Sequence, residues 1–229
     1  MSCDLETVAP AGPVFRLARA PDPWAWPDWS QASLDGTFGN RWDDPHGAYR
    51  VLYASSTRFG ALLETLARFR PDLAVVAGLS EIEGRDDPIA AGTVPREWFG
   101  NRLMGVAELI GTYADIGAAA SLSLVRARLA GRAIHHGLTD IDAAAIRLAA
   151  PRGFTQEVSR LIYECRSAGD EPLAGIRYHS RLDDGTSNWA VFEAASDSPE
   201  PLHLLDVEPV QPDDPHVTHA LAVLGLQVA

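Results

Sequence analysis

Residues 50–66, with the sequence RVLYASSTRFGALLETL, pass from one hydrophobic pattern to another. The nearly continuous apolar run at 50–54 is typical of a buried strand. The hydroxyl-bearing residues at 55–57 can cap a helix, and the apolar residues after them recur at spacings of four and three, as on the buried face of a helix. This stretch therefore predicts a strand followed directly by a helix from about 58 to 70, which Pro71 ends.

The segments on either side of this unit supply further strands and a block of helices. We predict strands at 14–19, 73–83, 175–180, 187–194 and 202–210. A mainly helical segment is predicted at 96–170, with individual helices at 140–150, capped by Thr139 or Asp140, and at 155–166. A long loop is predicted at 20–40 and a turn at 211–215. Strands at both ends around a helical middle indicate an α+β fold. Because no repeat or linker divides the chain, we expect one domain over residues 1–229.

Composition and charge exclude several classes of partner and mechanism. The chain has 229 residues, of which 46% are hydrophobic, so it can bury a sizeable core. Its formal net charge is -12, and an acidic surface repels nucleic acids and anionic membranes. We therefore expect neither as a partner. All 19 basic side chains are arginine, which excludes mechanisms that need a lysine, such as Schiff-base chemistry.

The ends of the chain and its cysteines bear on localisation. Cys3 and Cys165 are the only cysteines and show no C-x-x-C spacing, which argues against a disulfide scaffold and against a zinc cluster. The first residues lack the basic and apolar regions of a signal peptide. No apolar run approaches the roughly 20 residues of a membrane span. We expect a soluble, cytoplasmic protein.

Several short motifs that are weak alone occur together in an unusual combination. GNRWD (39–43) precedes LYAS (52–55), and LETL (63–66) lies on the helix that follows. GIRYHSR (175–181) and NWAVF (188–192) come later in the chain. Through these motifs the chain resembles the RES-domain family, which is named for an arginine, a glutamate and a serine.

The resemblance covers roughly residues 14–195 and implies a fold similar to that of ADP-ribosyltransferase toxins, with mixed or antiparallel sheets and residues 96–170 as a helical elaboration. Many members are toxins that deplete NAD or use it to modify a target, and they are paired with an Xre-type antitoxin. The resemblance implies NAD as substrate and an Xre-type protein as a candidate partner, and we expect no separate cofactor and no metal. It leaves a homo-oligomer open. The family's site residues fall on Arg41, Tyr53, Glu64 and Ser180, with a second arginine at Arg16.

The same residues suit cleavage of the nicotinamide–ribose bond on chemical grounds. This reaction passes through an oxocarbenium-like state, which a fixed carboxylate such as Glu64 can stabilise. Arg41 or Arg16 can bind the diphosphate through a bidentate contact. Tyr53 can stack on the cationic nicotinamide ring, and Ser180 can hydrogen-bond a ribose hydroxyl or orient Glu64.

Each of these residues also has an ordinary structural interpretation. A helical glutamate such as Glu64 is usually solvated or ion-paired, and Arg41 can pair with Asp43. Tyr53 can belong to the core, and Ser180 can cap the end of a strand. Only their joint occurrence favours a site.

Three functions stay open from the sequence. The first, which we favour, is an NAD-cleaving glycohydrolase, phosphorylase or ADP-ribosyltransferase whose acceptor is undefined. The second is a non-catalytic module that holds a nucleotide or a partner in the same pocket. The third is a metal-dependent hydrolase that uses His135-His136 or His216 and His219, although neither pair has a convincing third ligand. Trp24, Trp26 and Trp29 either pack the 20–40 loop down or form an aromatic wall for a ring ligand.

Overall fold

The computed structural model describes residues 3–80, 92–148, 150–167, 171–194 and 200–229. Its strands are β1 (Thr7–Val8), β2 (Val14–Arg19), β3 (Val51–Ser55), β4 (Gly92–Val94), β5 (Arg102–Leu109), β6 (Tyr113–Asp115), β7 (Gly175–His179), β8 (Ser187–Phe192), β9 (Leu202–Pro209) and β10 (Leu226–Val228). Its α-helices are α1 (Arg58–Leu66), α2 (Leu73–Ser80), α3 (Arg96–Phe99), α4 (Ala119–His135), α5 (Ala143–Arg147), α6 (Arg152–Glu164) and α7 (Pro215–Leu224), and short 3-10 turns cover Trp29–Gln31 and Ala67–Phe69.

An eight-stranded sheet with the order β1-β6-β7-β8-β3-β2-β5-β9 organises the chain. Its pairs are antiparallel except for β6 and β7, and β4 and β10 form a separate parallel pair. One hydrophobic cluster lies around α4 and α6 and contains Trp42, Phe154 and Ile176, whereas another joins α1 to α7. The predicted α+β fold with mixed, mainly antiparallel strands is confirmed.

The unit predicted from residues 50–66 forms as expected. β3 covers Val51–Ser55, Thr57 accepts a hydrogen bond from the Gly60 amide at the start of α1, and the last turn narrows to a 3-10 helix. Gly60 allows α1 to begin close to the sheet, because a Cβ there would collide with Ser55 Oγ and Thr186 Cγ2. This close approach brings the helix over the ends of β3 and β8.

The remaining strands that were predicted on either side also form. β2, β7, β8 and β9 lie within the segments where strands were predicted. β7 and β8 are antiparallel neighbours, so the predicted strand pair is confirmed.

The strand predicted at 73–83 is wrong over 73–80, and its other residues lie outside the described ones. Residues 73–80 form α2, because Asp72 Oδ1 accepts a hydrogen bond from the Ala74 amide at 2.7 Å and starts a helix. Leu73 and Val75 are exposed, so this apolar run is not a buried strand.

The segment 96–170 is less helical than predicted, because β5 and β6 lie within it. β5 pairs with β2 on one side and β9 on the other, and these long-range pairings override the local helical pattern. The predicted cap at Thr139 or Asp140 is also wrong, since Asp142 caps α5. At 211–215 the predicted turn leads into α7, which Asp214 caps and Pro215 begins.

The two cysteines form a disulfide, which overturns the expectation drawn from their spacing. Cys3 and Cys165 lie 162 positions apart in the sequence, but their Cα atoms are 5.6 Å apart. The bond ties the amino-terminal segment to the residue that ends α6. Among the residues that the structure describes, none of the helices combines the length and apolarity that a membrane crossing requires.

Candidate active site

A cleft of about 600 Å³ opens beside β2, β3 and α1, and it brings together residues that are distant in the sequence. Four of the five predicted site residues line it, namely Arg16, Arg41, Tyr53 and Glu64. The fifth, Ser180, lies immediately behind this lining and contacts Glu64. The sequence motifs therefore converge on one place.

Glu64 projects from α1 into the cleft and is held through one of its two carboxylate oxygens. Its Oε1 accepts a hydrogen bond from Ser180 Oγ at 2.7 Å and another from Asn188 Nδ2 at 2.8 Å. Both donors are buried, whereas Glu64 itself is exposed to the cleft. The carboxylate is thus fixed in orientation while its other oxygen is left for a ligand.

Ser180 is fully engaged within the protein. Its hydroxyl donates to Glu64 and also accepts from the amides of Leu182 at 3.0 Å and Asp183 at 3.3 Å. A hydroxyl has one donor and two acceptor positions, so none remains for a ribose hydroxyl. Of the two roles predicted for Ser180, the geometry favours orienting Glu64.

The guanidinium of Arg41 is a buried cation whose hydrogen-bonding capacity is largely unused. Its Nε and Nη2 are buried and have no hydrogen-bond partner among the described residues. The group lies 4.9 Å from the ring centroid of Trp42 and 5.2 Å from that of Tyr178. Burial lowers the pKa of Arg41, while the charge of Glu64 acts in the opposite direction. An anionic ligand would satisfy these donors.

The loop that carries Arg41 is held in place by one face of α6. Three side chains at spacings of four and three along this helix donate hydrogen bonds to carbonyl groups of the loop. Arg152 Nη1 donates to the Gly39 carbonyl at 3.1 Å, and Gln156 Nε2 donates to the Asn40 carbonyl at 3.0 Å. Ser159 Oγ donates to the Trp42 carbonyl at 2.6 Å. These three residues were not predicted from the sequence. Their regular spacing was the available signal, but it does not reveal which loop they face.

Tyr53 supports the same loop from the sheet. Its hydroxyl donates to Asp43 Oδ1 at 2.7 Å and accepts from the Trp42 amide at 2.9 Å. Burial and the neighbouring Asp43 carboxylate raise the pKa of Tyr53 well above its ordinary value, so the phenol stays protonated. The hydroxyl therefore holds the Arg41 loop, and Tyr53 is also one of the residues that line the cleft.

Arg16 lies deep in the wall of the cleft with two of its donors already used. Its Nε donates to the Pro23 carbonyl and its Nη1 to the Tyr53 carbonyl, both at 2.7 Å. Burial lowers the pKa of Arg16 to about 10. Arg16 thus ties β3 to the segment after β2, and it has less capacity for a diphosphate than Arg41.

Further cleft residues were not predicted from the sequence. Arg68, Arg152 and Arg181 line the cleft together with Arg16 and Arg41, whereas Glu64 is its one acidic residue among those described. This concentration of positive charge occurs in a chain with a net charge of -12. Such a field attracts anionic small molecules to the cleft.

Trp24 and Trp26 of the 20–40 loop pack against a hydrophobic cluster, whereas Trp29 is 41% exposed, and the three tryptophans form no aromatic wall in the described cleft. Trp24 is 3% exposed within a hydrophobic cluster, and neither Trp26 nor Trp29 lines the cleft. The histidines form no metal centre within the described ranges, because no three His, Cys, Asp or Glu side chains lie close enough to hold an ion. His136 instead contacts Glu157.

Comparisons with known proteins give a match to a protein-family model and to a solved structure. The family model described as "RES domain" matches residues 13–99, which include Arg16, Arg41, Tyr53 and Glu64. The fold is similar to a chain in the crystal structure of the M. tuberculosis MbcT-MbcA toxin-antitoxin complex, with a TM-score of 0.56 and 11% sequence identity, covering 95% of this chain and 91% of that one. No curated protein matches the sequence. The resemblance to the RES-domain family that the motifs predict is therefore confirmed, with residues 13–99 as the matched region.

Proposed function

We propose that this chain consumes NAD by cleaving its nicotinamide–ribose bond, as a glycohydrolase, a phosphorylase or an ADP-ribosyltransferase. The observation that carries the proposal is the carboxylate of Glu64, which Ser180 and Asn188 fix at one oxygen inside an arginine-lined cleft. An enzyme that generates positive charge on a ribose needs a carboxylate held in this manner. A module that only binds a nucleotide does not.

In this proposal the fixed carboxylate acts on the transition state. As the bond to nicotinamide lengthens, positive charge develops on the anomeric carbon and the ring oxygen of the ribose. The free oxygen of Glu64 stabilises that charge, and because Ser180 and Asn188 already orient the carboxylate, little reorganisation accompanies the step. The bonding electrons leave with nicotinamide, whose ring becomes neutral, and a nucleophile then attacks the anomeric carbon.

Arg41 supplies the second half of the site. Its buried Nε and Nη2 donors can form a bidentate contact with the diphosphate, which fixes the dinucleotide relative to Glu64. Tyr53 and the α6 side chains hold the Arg41 loop, so the distance between the cation and the carboxylate is preset. The ring of Tyr53 remains our candidate to stack on nicotinamide.

We also propose that the protein acts as a toxin and that an antitoxin of the Xre type restrains it. An enzyme that drains NAD has to be restrained in the cell that makes it, and the structure with a similar fold is that of a toxin-antitoxin complex. A partner with a basic face would be steered to the acidic surface of this chain. An acidic tail of such a partner could occupy the diphosphate position.

Incubation of the purified chain with NAD, followed by mass spectrometry, tests the proposal. Free nicotinamide identifies the bond that breaks, and the mass of the second product identifies the acceptor. Glu64→Gln is nearly isosteric and should lower turnover by about 100- to 1000-fold, or about 3–4 kcal/mol, without weakening NAD binding. Glu97→Gln, which changes an exposed glutamate of α3 outside the cleft, is the matched control.

Expression without any partner extends the same test to the cell. We expect growth arrest and loss of NAD with the wild-type chain and with Glu97→Gln, but not with Glu64→Gln. Wild-type rates of nicotinamide release in Glu64→Gln would remove the catalytic assignment. NAD binding without turnover in the wild type would favour the binding-module alternative.

A further inference from the structure

Tyr178, on β7, lies beside both parts of the proposed site. It is the direct cross-strand partner of Asn188, so the two side chains leave the same face of the sheet. Asn188 donates a hydrogen bond to Glu64, and Ser180, which donates to the same carboxylate, follows Tyr178 by two positions. The guanidinium of Arg41 lies 5.2 Å from the ring centroid of Tyr178. Tyr178 therefore contacts the cation of the site and adjoins the donors that fix its carboxylate.

The hydroxyl of Tyr178 has no role within the described part of the protein. It has no hydrogen-bond partner there, and it is not one of the atoms that are both buried and unpartnered. Ser55 Oγ and Asn188 Oδ1 also lack partners, but both of these atoms are buried. Tyr178 lines the cleft and also a smaller cavity of about 170 Å³, which it shares with Arg41. Its hydroxyl thus stays accessible to a ligand.

The phenol of Tyr178 is protonated and can act as a hydrogen-bond donor. Burial is the largest cause that raises its pKa, and the charge of Glu64 raises it further, whereas the charge of Arg41 acts in the opposite direction. Tyr53 also lines the cleft, but its hydroxyl already holds the Arg41 loop. Of these two tyrosines, only Tyr178 has a hydroxyl that is free to bind a substrate.

The neighbours of Tyr178 identify the part of the dinucleotide that it would meet. In the proposed function Glu64 acts at the anomeric carbon and Arg41 binds the diphosphate. The nicotinamide ribose is the group that joins these two points in the covalent structure of NAD. Its hydroxyls need partners once water is excluded, and Ser180 has no hydrogen-bonding capacity left for them.

We propose that the Tyr178 hydroxyl donates a hydrogen bond to a hydroxyl of the nicotinamide ribose and thereby selects ribosyl over deoxyribosyl dinucleotides. A site that hydrogen-bonds a substrate hydroxyl discriminates against an analogue that lacks it, because the polar group of the site is then left unpaired. The inference rests on the proposed function and adds a specificity-determining residue to it.

A cycle that removes the hydroxyl from the protein and from the substrate tests the inference. The kcat/KM for nicotinamide release is measured for the wild type and Tyr178→Phe, with NAD and with analogues that lack the 2′- or the 3′-hydroxyl of the nicotinamide ribose. With NAD, Tyr178→Phe should lower kcat/KM by about 3- to 10-fold, the loss expected for one neutral hydrogen bond. With the analogue that lacks the bound hydroxyl, the loss should be less than about twofold. Comparing the two proteins on each substrate cancels the intrinsic reactivity of the deoxy sugars.

Tyr113→Phe is the matched control. It removes another tyrosine hydroxyl that has no partner among the described residues, on the neighbouring strand β6, from a residue that does not line the cleft. It should leave kcat/KM unchanged with all three substrates. Because neither substitution removes a hydrogen bond within the described residues, neither should lower the Tm of the free protein, which thermal unfolding checks.

The possible results separate the inference from the proposed function. Equal losses in Tyr178→Phe with NAD and with both analogues, or no loss with NAD, overturn the inference while NAD cleavage stands. If no dinucleotide is cleaved, the proposed function fails, and the same cycle with Kd values from calorimetry decides on the ribose contact. Coupling between Tyr178→Phe and one deoxy analogue then supports the contact, whereas additive effects or an absence of NAD binding reject it.

Discussion

Arg41 should stabilise the complex with NAD while destabilising the free protein. Two of its nitrogens are buried and have no hydrogen-bond partner among the described residues, and unsatisfied buried donors typically cost about 1–3 kcal/mol. Cation–π contacts with the rings of Trp42 and Tyr178 offset part of this cost, at about 0.5–1 kcal/mol each. We therefore expect Arg41→Met, which keeps an unbranched side chain but removes the charge, to leave the unfolding free energy unchanged or raise it by about 1 kcal/mol.

The same substitution should weaken NAD binding. Loss of a bidentate, charge-assisted contact with the diphosphate is worth about 2–4 kcal/mol, so the Kd should rise roughly 30- to 1000-fold. Arg41→Lys should recover little of this affinity, since an ammonium group cannot reproduce the planar fork of a guanidinium. Opposite effects on binding and on stability are expected when a strained group is kept for function.

Two measurements on the same preparations check this reasoning. Calorimetry with NAD gives the Kd, and thermal unfolding without ligand gives the stability, for which about 1 kcal/mol corresponds to roughly 2–4 °C in Tm at this chain length. A Tm that falls by more than this amount would mean that Arg41 is a structural residue. An unchanged Kd would transfer the diphosphate role to another arginine, with Arg16 as the next candidate.

Asn188→Ala should lower kcat by about tenfold, because Glu64 then keeps only the Ser180 hydrogen bond. Combined with Glu64→Gln, it should have almost no further effect, and a double-mutant cycle with additive losses would contradict this coupling. Reduction of the Cys3–Cys165 disulfide, or Cys3→Ser, should lower the unfolding free energy by up to about 5 kcal/mol, since the bond joins residues 162 positions apart in the sequence. Identical melting curves with and without reductant would show that the bond is not formed in solution.

Much of the fold was predictable wherever one local pattern dominates. The strand and helix at 50–66 follow from apolar spacing and a hydroxyl cap, and the structure has both. β5 and β6 were not predictable in this way, because their partners β2, β9 and β7 are distant in the sequence. The disulfide was missed for the same reason, since the approach of Cys3 to Cys165 depends on where α6 ends.

The residues of the candidate site also differ in whether a local sequence pattern or a long-range contact determines them. Arg41 and Glu64 were predicted from motifs, because a motif specifies the residue types that the chemistry requires. Asn188 was quoted within a motif but given no role, because its contact with Glu64 depends on the pairing of β8 with β3, where Asn188 is the partner of Ser55. Sequence spacing alone does not fix such a register.

The residues that make Glu64 a fixed carboxylate lie outside the region that the family model matches. That region ends at residue 99, whereas Ser180, Asn188 and the whole of α6 come later in the chain. A segment limited to residues 13–99 would contain Arg41 and Glu64 but neither the donors that orient the carboxylate nor the helix that holds the Arg41 loop. Pre-organisation of the site therefore depends on α6 and on the segment around β7 and β8 as well as on the matched region, which β3 joins to β8.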